Sequence, residues 1–405
     1  MARKSTTAYL LICFLVSLAS SATITKLEGI EGTVTLIETD SYFYSYIVTY
    51  EKLSNTNNFY VLDTQDTIIF SQNFENIITL KFNTKNQLCV FNSPEENGMN
   101  IWIFDQTSAT ISNFYNYFSA MPDFPAFFDS DNNLIYDSLT GIKILRNNES
   151  DPISITKLSS YNIINNLTHA VDEQGNVYLG LSVPQSYDHQ AVVLTREEIY
   201  KPDPTPYFYN FDSYGRIREM SLFNNNSIAF ATSIELLILR DDYFYRFDCE
   251  TPYCYASNYD YLYPTKEKLY YRYEGCTLKF LTQELEDIKL EYFSRCYVLQ
   301  VFDKNGNAFI ASSYPDFHVY SIWNNDTSLT PIKIPNSLSL HGLEVTENGF
   351  VWVLAQNLYL IPQGATEAVK VINLPFTEAY GPIRAKPGTD NVFIVLDDGL
   401  YIASQ

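Results

Sequence analysis

The chain has few basic residues and almost no histidine. Its 405 residues include 26 Lys and Arg against 47 Asp and Glu, with four His, and the formal net charge is −21. An acidic surface of this strength repels phosphate backbones and anionic lipid headgroups. The composition therefore argues against nucleic acid and membranes as partners.

Catalytic motifs are also missing. The sequence contains no H-E-x-x-H, no G-x-S-x-G, no P-loop and no G-x-G-x-x-G. The stretch "DSDNNLIYDSLT" from Asp129 begins like an EF-hand loop, but it has Leu134 where glycine must turn the chain and Thr140 where a bidentate Glu is needed. We therefore predict a non-enzymatic protein with no catalytic residue, no metal site and no cofactor.

A long apolar run occurs only near the start. Residues 1–21 have Arg3 and Lys4 near the start, then the apolar run 8–18, and small residues at the end. This is the pattern of a cleavable signal peptide, and the run is too short to span a bilayer comfortably. We expect cleavage near Ser21–Ala22 and a secreted, extracellular domain over residues 22–405, with a signal anchor as the alternative.

The cysteines that follow the signal peptide are unevenly placed. Four of them lie close together: Cys249, Cys254, Cys276 and Cys296. In a secreted chain they predict two disulfides, and short loops favour Cys249–Cys254 with Cys276–Cys296 among three connectivities. A zinc site is the alternative. Cys89 stands alone and is predicted to be a buried thiol.

Four sequons predict N-linked glycans in or beside polar turns. The acceptor residues are Asn148, Asn166, Asn225 and Asn325.

A degenerate repeat is the strongest positive signal. "AVDEQGNVYLGLS" from Ala170 and "QVFDKNGNAFIASS" from Gln300 share an apolar pair, an Asp, a Gly-Asn turn and an apolar strand. Similar stretches begin at Leu80, Ala126, Ser221, Tyr261, Leu343 and Ile383, and a looser one begins at Thr33. Successive turns are about 39–50 residues apart, a period typical of β-propellers.

The predicted fold class is therefore all-β, a single β-propeller of four-stranded antiparallel blades. The number of recognised repeats favours eight blades, and seven to nine blades are compatible with the pattern. The Asp/Asn-Gly turn is expected to join the first two strands of each blade. The last module, ending in "DDGLYIASQ", has three strands, so "ATITKLEG" from Ala22 is predicted to supply the fourth. "TQELEDIKLEYF" from Thr282 is the best helical candidate and is equally compatible with a strand.

Aromatic residues are abundant, with 33 Tyr and 27 Phe. Many of them suit strands and the packing between blades. Two loops, "PQSYDHQ" and "SSYPDFH", follow the second strands of two blades and combine aromatic, acidic and histidine side chains. Their predicted ligand-binding residues are Tyr187, Asp188, His189, Tyr314, Asp316 and His318. This combination favours an aromatic ligand with cationic or amide groups, although two ordinary polar loops are the alternative interpretation.

Two family resemblances extend these predictions. "FFDSDNNLIYDSLTGIKIL", "VDEQGNVYLG", "FDKNGNAFI" and "VLDDGLYIAS" resemble blades of the insect ommochrome-binding-protein family. That resemblance implies a secreted carrier of tryptophan-derived pigments.

The second resemblance leads to a different role. "GNAFIASSYPDFHVYSIWNNDTSL" and "SLHGLEVTENGFVWVLAQNLYLI" are similar to the C-terminal third of yellow/royal-jelly proteins, with Ile322 at the Cys position of their Cys-Trp-Asn. This similarity implies protein–protein interaction or a structural role. The expected partner is therefore a small aromatic molecule or an unidentified extracellular protein.

Overall fold

The computed structural model describes most of the chain after residue 22. The described residues are 23–95, 98–119, 126–138, 140–147, 149, 151–164, 168–182, 189–209, 217–223, 227–232, 235–241, 243–248, 262–265, 268–273, 277–292, 298–303, 305–312, 318–322, 330–334, 340–372 and 383–404.

These residues form nine antiparallel sheets, which we number I to IX in chain order. After β1 (Thr23–Lys26), sheet I holds β2 (Thr33–Thr39), β3 (Ser45–Glu51), β4 (Thr56–Leu62) and β5 (Ile68–Phe74). Sheet II holds β6 (Ile77–Phe82), β7 (Leu88–Glu95), β8 (Gly98–Asp105) and β9 (Thr110–Ser119), and sheet III holds β10 (Ala126–Phe128), β11 (Leu134–Ser138), β12 (Gly141–Leu145) and β13 (Ile153–Ser154). Sheet IV holds β14 (Asn162–Ile163), β15 (His169–Val171), β16 (Val177–Ser182), β17 (His189–Leu194) and β18 (Tyr207–Tyr209).

The remaining sheets follow the same order. Sheet V holds β19 (Ile217–Phe223), β20 (Ser227–Thr232), β21 (Glu235–Arg240) and β22 (Tyr243–Asp248), and sheet VI holds β23 (Leu262–Pro264), β24 (Lys268–Tyr273), β25 (Thr277–Thr282) and β26 (Asp287–Tyr292). Sheet VII holds β27 (Val298–Phe302), β28 (Ala308–Ser312), β29 (His318–Ile322) and β30 (Thr330–Ile332). Sheet VIII holds β31 (Leu340–Val345), β32 (Val351–Ala355), β33 (Leu358–Ile361) and β34 (Val369–Ile372), and sheet IX holds β35 (Ile383–Ala385), β36 (Val392–Leu396) and β37 (Gly399–Ser404) together with β1.

Helices are short in the described residues. They are α1, which spans Arg196–Ile199, and a 3-10 turn at Thr156–Leu158. The segment from Thr282 contains strand β26 and no helix. No described helix has the length and apolar character needed to cross a membrane.

The sheets are the blades of a β-propeller fold, as the sequence predicts. Eight sheets correspond to the eight recognised repeats, and the loose module from Thr33 forms sheet I. The nine sheets therefore lie at the upper end of the predicted range of seven to nine. Sheet IV is irregular, because β14 and β15 both pair with β16.

The N-terminal strand completes the C-terminal sheet, which confirms the predicted pairing. Strand β1 runs antiparallel to β37, with Thr23 opposite Ser404 and Lys26 opposite Tyr401. Pairing removes the exposed edge that a three-stranded sheet would leave on β37.

The repeated turn has a simple structural cause. In sheet IV the Asp172 carboxylate accepts hydrogen bonds from the backbone N–H and the side-chain amide of Asn176, both at 2.8 Å. Asp303 and Asn307 in sheet VII make the same two bonds, and Gly175 and Gly306 supply positive φ angles of +83° and +80°. Aspartate and asparagine side chains stabilise such turns by bonding to the local backbone, and glycine adopts positive φ without strain.

This turn also accounts for Asp129. Its carboxylate accepts bonds from the backbone of Asp131 and from the backbone and side chain of Asn133. The segment that begins like a calcium loop is thus a structural turn between β10 and β11.

The chain divides into two compact units. One contains sheets I, VII, VIII and IX, and the other contains sheets II to VI. Within each unit, apolar clusters lie between consecutive sheets. In the first they join IX to I, VII to VIII and VIII to IX. In the second they join II to III, III to IV, IV to V and V to VI.

Cys89 belongs to the cluster between sheets II and III and is fully buried, which confirms its predicted placement. Several other predictions concern residues outside the described ranges. They are the signal peptide, the four clustered cysteines (Cys249, Cys254, Cys276 and Cys296) and the four glycan acceptors (Asn148, Asn166, Asn225 and Asn325).

Candidate ligand-binding cleft

A cleft of about 250 Å³ opens between sheets IV and V. Sheet IV contributes the turn after β15, the start of β16 and the end of β18. Sheet V contributes Ile228 and Leu239, which are almost fully buried and form the apolar floor, and Asp241 in the turn after β21. The cleft therefore combines an apolar base with polar rims from two sheets.

One wall is built on the Asp172 turn. Asp172 is 8% exposed, and its Oδ2 accepts a hydrogen bond of 3.3 Å from the Tyr178 hydroxyl. This bond holds the phenol ring of Tyr178 against the carboxylate. A rigid aromatic ring with a fixed polar tip is a good contact surface for a ligand.

A second aromatic residue, Tyr209, also lines the cleft. Its ring makes edge-to-face contacts with Tyr207 (centroids 5.2 Å apart) and with Phe244 of sheet V (5.7 Å). Because neighbouring rings restrain it from two directions, Tyr209 presents a preorganised surface to the cleft.

The cleft carries negative charge. Asp172 comes from sheet IV and Asp241 from sheet V, and the described lining includes no Lys, Arg or His. Asp241 adopts a φ of +51°, a left-handed conformation that aspartate tolerates in tight turns. Two carboxylates beside two aromatic rings favour a cation, since a cation is attracted both to carboxylates and to ring faces.

Most predicted ligand-binding residues lie outside the described ranges. These are Tyr187, Asp188, Tyr314 and Asp316. The backbones of His189 and His318 begin β17 and β29, where they pair with Ser182 and Ser312. Both loops therefore connect the second and third strands of their sheets, as predicted, and their role in binding stays a prediction.

The cleft and the predicted loop in sheet IV lie at opposite ends of one strand. Tyr178 is the second residue of β16, whereas the loop 183–188 follows its last residue, Ser182. At about 3.3 Å per residue, the strand places Ser182 about 13 Å from Tyr178. The cleft was not predicted from the sequence, although the aromatic triplet "YFY" in β18 ends in Tyr209, which lines it.

Within the described ranges, no group of three or more His, Cys, Asp or Glu side chains is placed to hold a metal ion. An organic cation needs fewer acidic ligands than a metal ion, because one or two carboxylates are enough to accept its N–H hydrogen bonds. Asp172 and Asp241 supply two such carboxylates.

Comparison with known proteins gives similarity of structure alone. No protein-family model matches the chain, and no curated protein matches it. The WD40 domain of SCAP from fission yeast is 11% identical, with a TM-score of 0.47, and the match covers 95% of this chain and 98% of that one. The β-propeller domain of the Trilobed protease from Pyrococcus furiosus is 9% identical, with a TM-score of 0.42 and coverage of 73% and 82%.

A third solved structure, the Cps50 (Swd1) β-propeller domain from Myceliophteria thermophila, is 12% identical, with a TM-score of 0.39 and coverage of 81% and 96%. At these scores the similarities carry no argument about function. The assignment to the β-propeller class depends on the nine sheets and their order.

Proposed function

We propose that this chain is a secreted, non-enzymatic binding protein for a small aromatic molecule that carries a cationic or NH-rich group. The observation that supports this proposal is the cleft between sheets IV and V, where Tyr178 and Tyr209 lie beside Asp172 and Asp241 over an apolar floor. The family resemblance to pigment carriers leads to the same ligand class.

The size of the cleft limits the ligand. A cavity of about 150 Å³ is enough to hold benzene, so 250 Å³ accommodates one or two fused rings with a short substituent. A larger pigment would have to extend beyond the cleft. Stacking on each tyrosine is expected to contribute about 0.5–1.5 kcal/mol beyond the burial of apolar surface.

The test is a titration with indole and tryptamine, followed by calorimetry or tyrosine fluorescence. Tryptamine should bind more tightly than indole, because its ammonium group faces the two carboxylates. The variant Tyr178→Leu/Tyr209→Leu should weaken tryptamine binding ten-fold or more. A wild-type protein that binds neither compound, nor a phenoxazine, contradicts the proposal.

The predicted loops supply the matched comparison. The variant Tyr187→Ala/Tyr314→Ala alters the tyrosines of the two predicted loops and keeps all of the described cleft residues. If this variant loses binding and the cleft variant does not, the ligand site belongs to the loops. Tyr178 and Tyr209 pack against the apolar cluster between sheets IV and V, so the melting temperature of each variant is measured to distinguish a loss of binding from a loss of folding.

Interaction with another extracellular protein is the second candidate function. It is favoured by exposed tyrosines on the outer strands of sheets IV and V: Tyr207 is 64% exposed, Tyr243 is 72% exposed and Tyr245 is 44% exposed. Tyrosine is enriched at protein interfaces. Under this function, Tyr243→Ser/Tyr245→Ser should abolish capture of the partner while leaving tryptamine binding unchanged.

A further inference from the structure

Neighbouring sheets are tied together by polar contacts at their turns. Between sheets III and IV, Arg196 donates two hydrogen bonds of 2.6 Å to the two carboxylate oxygens of Asp131. Asp131 lies in the turn between the first two strands of sheet III, and Arg196 lies in the connection between β17 and β18 of sheet IV. A bidentate pair of this geometry gives both charge neutralisation and a defined orientation.

An equivalent ion pair joins sheets IX and I. The Lys386 ammonium donates to Asp66 at 2.7 Å and to the Thr64 carbonyl at 3.2 Å. Here the cation belongs to the turn between the first two strands of sheet IX, and the carboxylate belongs to the turn between β4 and β5 of sheet I. The same two turns of neighbouring sheets thus supply one cation and one carboxylate at both junctions. The two charges are exchanged between the turns.

At two other junctions the turns also meet through uncharged donors. Between sheets II and III, the Thr84 backbone N–H donates to Asn132 at 3.3 Å. Between sheets VIII and IX, Thr346 and Asn348 donate to Asp390 at 3.0 and 3.2 Å. Each of these carboxylate or amide acceptors meets a donor from the preceding sheet.

The junction between sheets IV and V is different. Asp172, in the turn after β15, and Asp241, in the turn after β21, lie in the same two kinds of turn that supply the ion pair at the junction of III and IV. Within its turn Asp172 corresponds to Asp129, and Gln174 corresponds to Asp131. Asp172 and Asp241 are both acidic, and the described lining of the cleft contributes no cation. Two carboxylates on facing turns leave a negative potential that a ligand cation would neutralise.

We infer that the cation recognised by this cleft is a guanidinium group, bound to Asp172 and Asp241 as Arg196 is bound to Asp131. This inference rests on the proposed function and specifies the ligand that the cleft takes. A guanidinium is planar, offers five N–H donors in a fork that matches carboxylates, and stacks on aromatic faces. Tyr178 and Tyr209 supply such faces, whereas an ammonium group is compact, more strongly hydrated and unable to stack.

The experiment compares four probes by calorimetry: benzylguanidine, benzylamine, benzyl alcohol and methylguanidine. Benzylguanidine should bind at least ten-fold more tightly than benzylamine, and benzyl alcohol should bind most weakly. In Asp241→Asn, affinity for benzylguanidine should fall ten-fold or more while affinity for benzyl alcohol stays the same. The control variant Asp203→Asn, at an exposed carboxylate outside the cleft, should bind all four probes as the wild type does.

A second variant places the cation on the protein itself. Gln174 is an exposed cleft residue in the Asp172 turn, and Gln174→Arg should raise the melting temperature and abolish benzylguanidine binding. Gln174→Met, of similar length and without charge, should retain binding. Retained binding in Gln174→Arg together with an unchanged melting temperature contradicts the inference.

The outcomes separate this inference from the proposed function. Benzylamine that binds as tightly as benzylguanidine overturns the guanidinium assignment and leaves the proposed function intact. Methylguanidine that binds as tightly as benzylguanidine overturns the aromatic requirement of the proposed function and supports the guanidinium assignment. Absence of binding by all four probes overturns both.

Discussion

The hydroxyl of Tyr178 donates a 3.3 Å hydrogen bond to Oδ2 of Asp172, and the same pair of residue types recurs in sheet I. There Tyr46 donates to Asp40 at 2.6 Å, and its ring is fully buried and lies parallel to Phe59. One sheet buries the pair in its core, whereas the other places it at the wall of a cleft. The contrast favours a structural role for Tyr46 and a ligand-binding role for Tyr178.

Removing the two hydroxyls should therefore affect stability in one sheet and ligand binding in the other. Tyr46→Phe should lower the free energy of unfolding by about 1.5–3 kcal/mol, because it removes a short bond to a buried carboxylate. Tyr178→Phe should cost less than about 1 kcal/mol and should weaken ligand binding. Chemical denaturation of both variants, with tryptamine titrations, checks the prediction, and equal stability losses would contradict it.

The pairing of β1 with β37 makes the N-terminal strand important for stability. A chain that starts at Ala22 retains β1, whereas a chain that starts at Leu27 lacks it. The shorter chain should be less stable by about 2–4 kcal/mol, since it loses several backbone hydrogen bonds worth about 0.5–1.5 kcal/mol each. Thermal denaturation of the two chains measures this difference, and equal melting temperatures would show that β1 contributes nothing.

Asp137 should make stability depend on pH. Burial raises the pKa of this carboxyl to about 6 from its ordinary 3.8, against the hydrogen bond of 2.9 Å that it accepts from the backbone of Ile163. Because the folded-state pKa is raised, the contribution of Asp137 is fully present below about pH 3.8 and is lost as the pH rises through about 6.

Asp137→Asn removes this titration and keeps an acceptor for the Ile163 N–H. Relative to the wild type, the variant should gain stability between about pH 4 and about pH 7, by at most about 3 kcal/mol. Urea denaturation at a series of pH values tests the sign. A constant difference between variant and wild type over this range means that Asp137 does not titrate as expected.

Cys89 should be unreactive in the folded protein. The thiol is fully buried, and burial raises its pKa to about 12, so the reactive thiolate is scarce at neutral pH. Iodoacetamide at mildly alkaline pH followed by peptide mapping should leave Cys89 unmodified in native protein and label it fully in denaturant. Rapid labelling under native conditions would indicate that sheets II and III separate readily.

Local patterns in the sequence were sufficient for the turns and the strand order. The spacing of Asp172 and Asn176 encodes a turn through bonds between near neighbours, so its recurrence identifies the blades without knowledge of their packing. The edge pairing of "ATITKLEG" follows from a count of strands, because a last module with three strands needs a fourth. The sequence predicted only a range of seven to nine blades, because the module that forms sheet I matches the repeat loosely.

The existence and the lining of the cleft depend on tertiary structure. Tyr178 and Asp241 are far apart in the sequence, and strand alternation does not reveal whether the space between two sheets is filled, as at Asp131 and Arg196, or open. The charges at a junction come from turns of different sheets, so they meet only when the sheets pack. The repeating unit can therefore be read from the sequence, because its turns and strands depend on near neighbours, whereas the pairing of side chains across sheets depends on packing between distant segments.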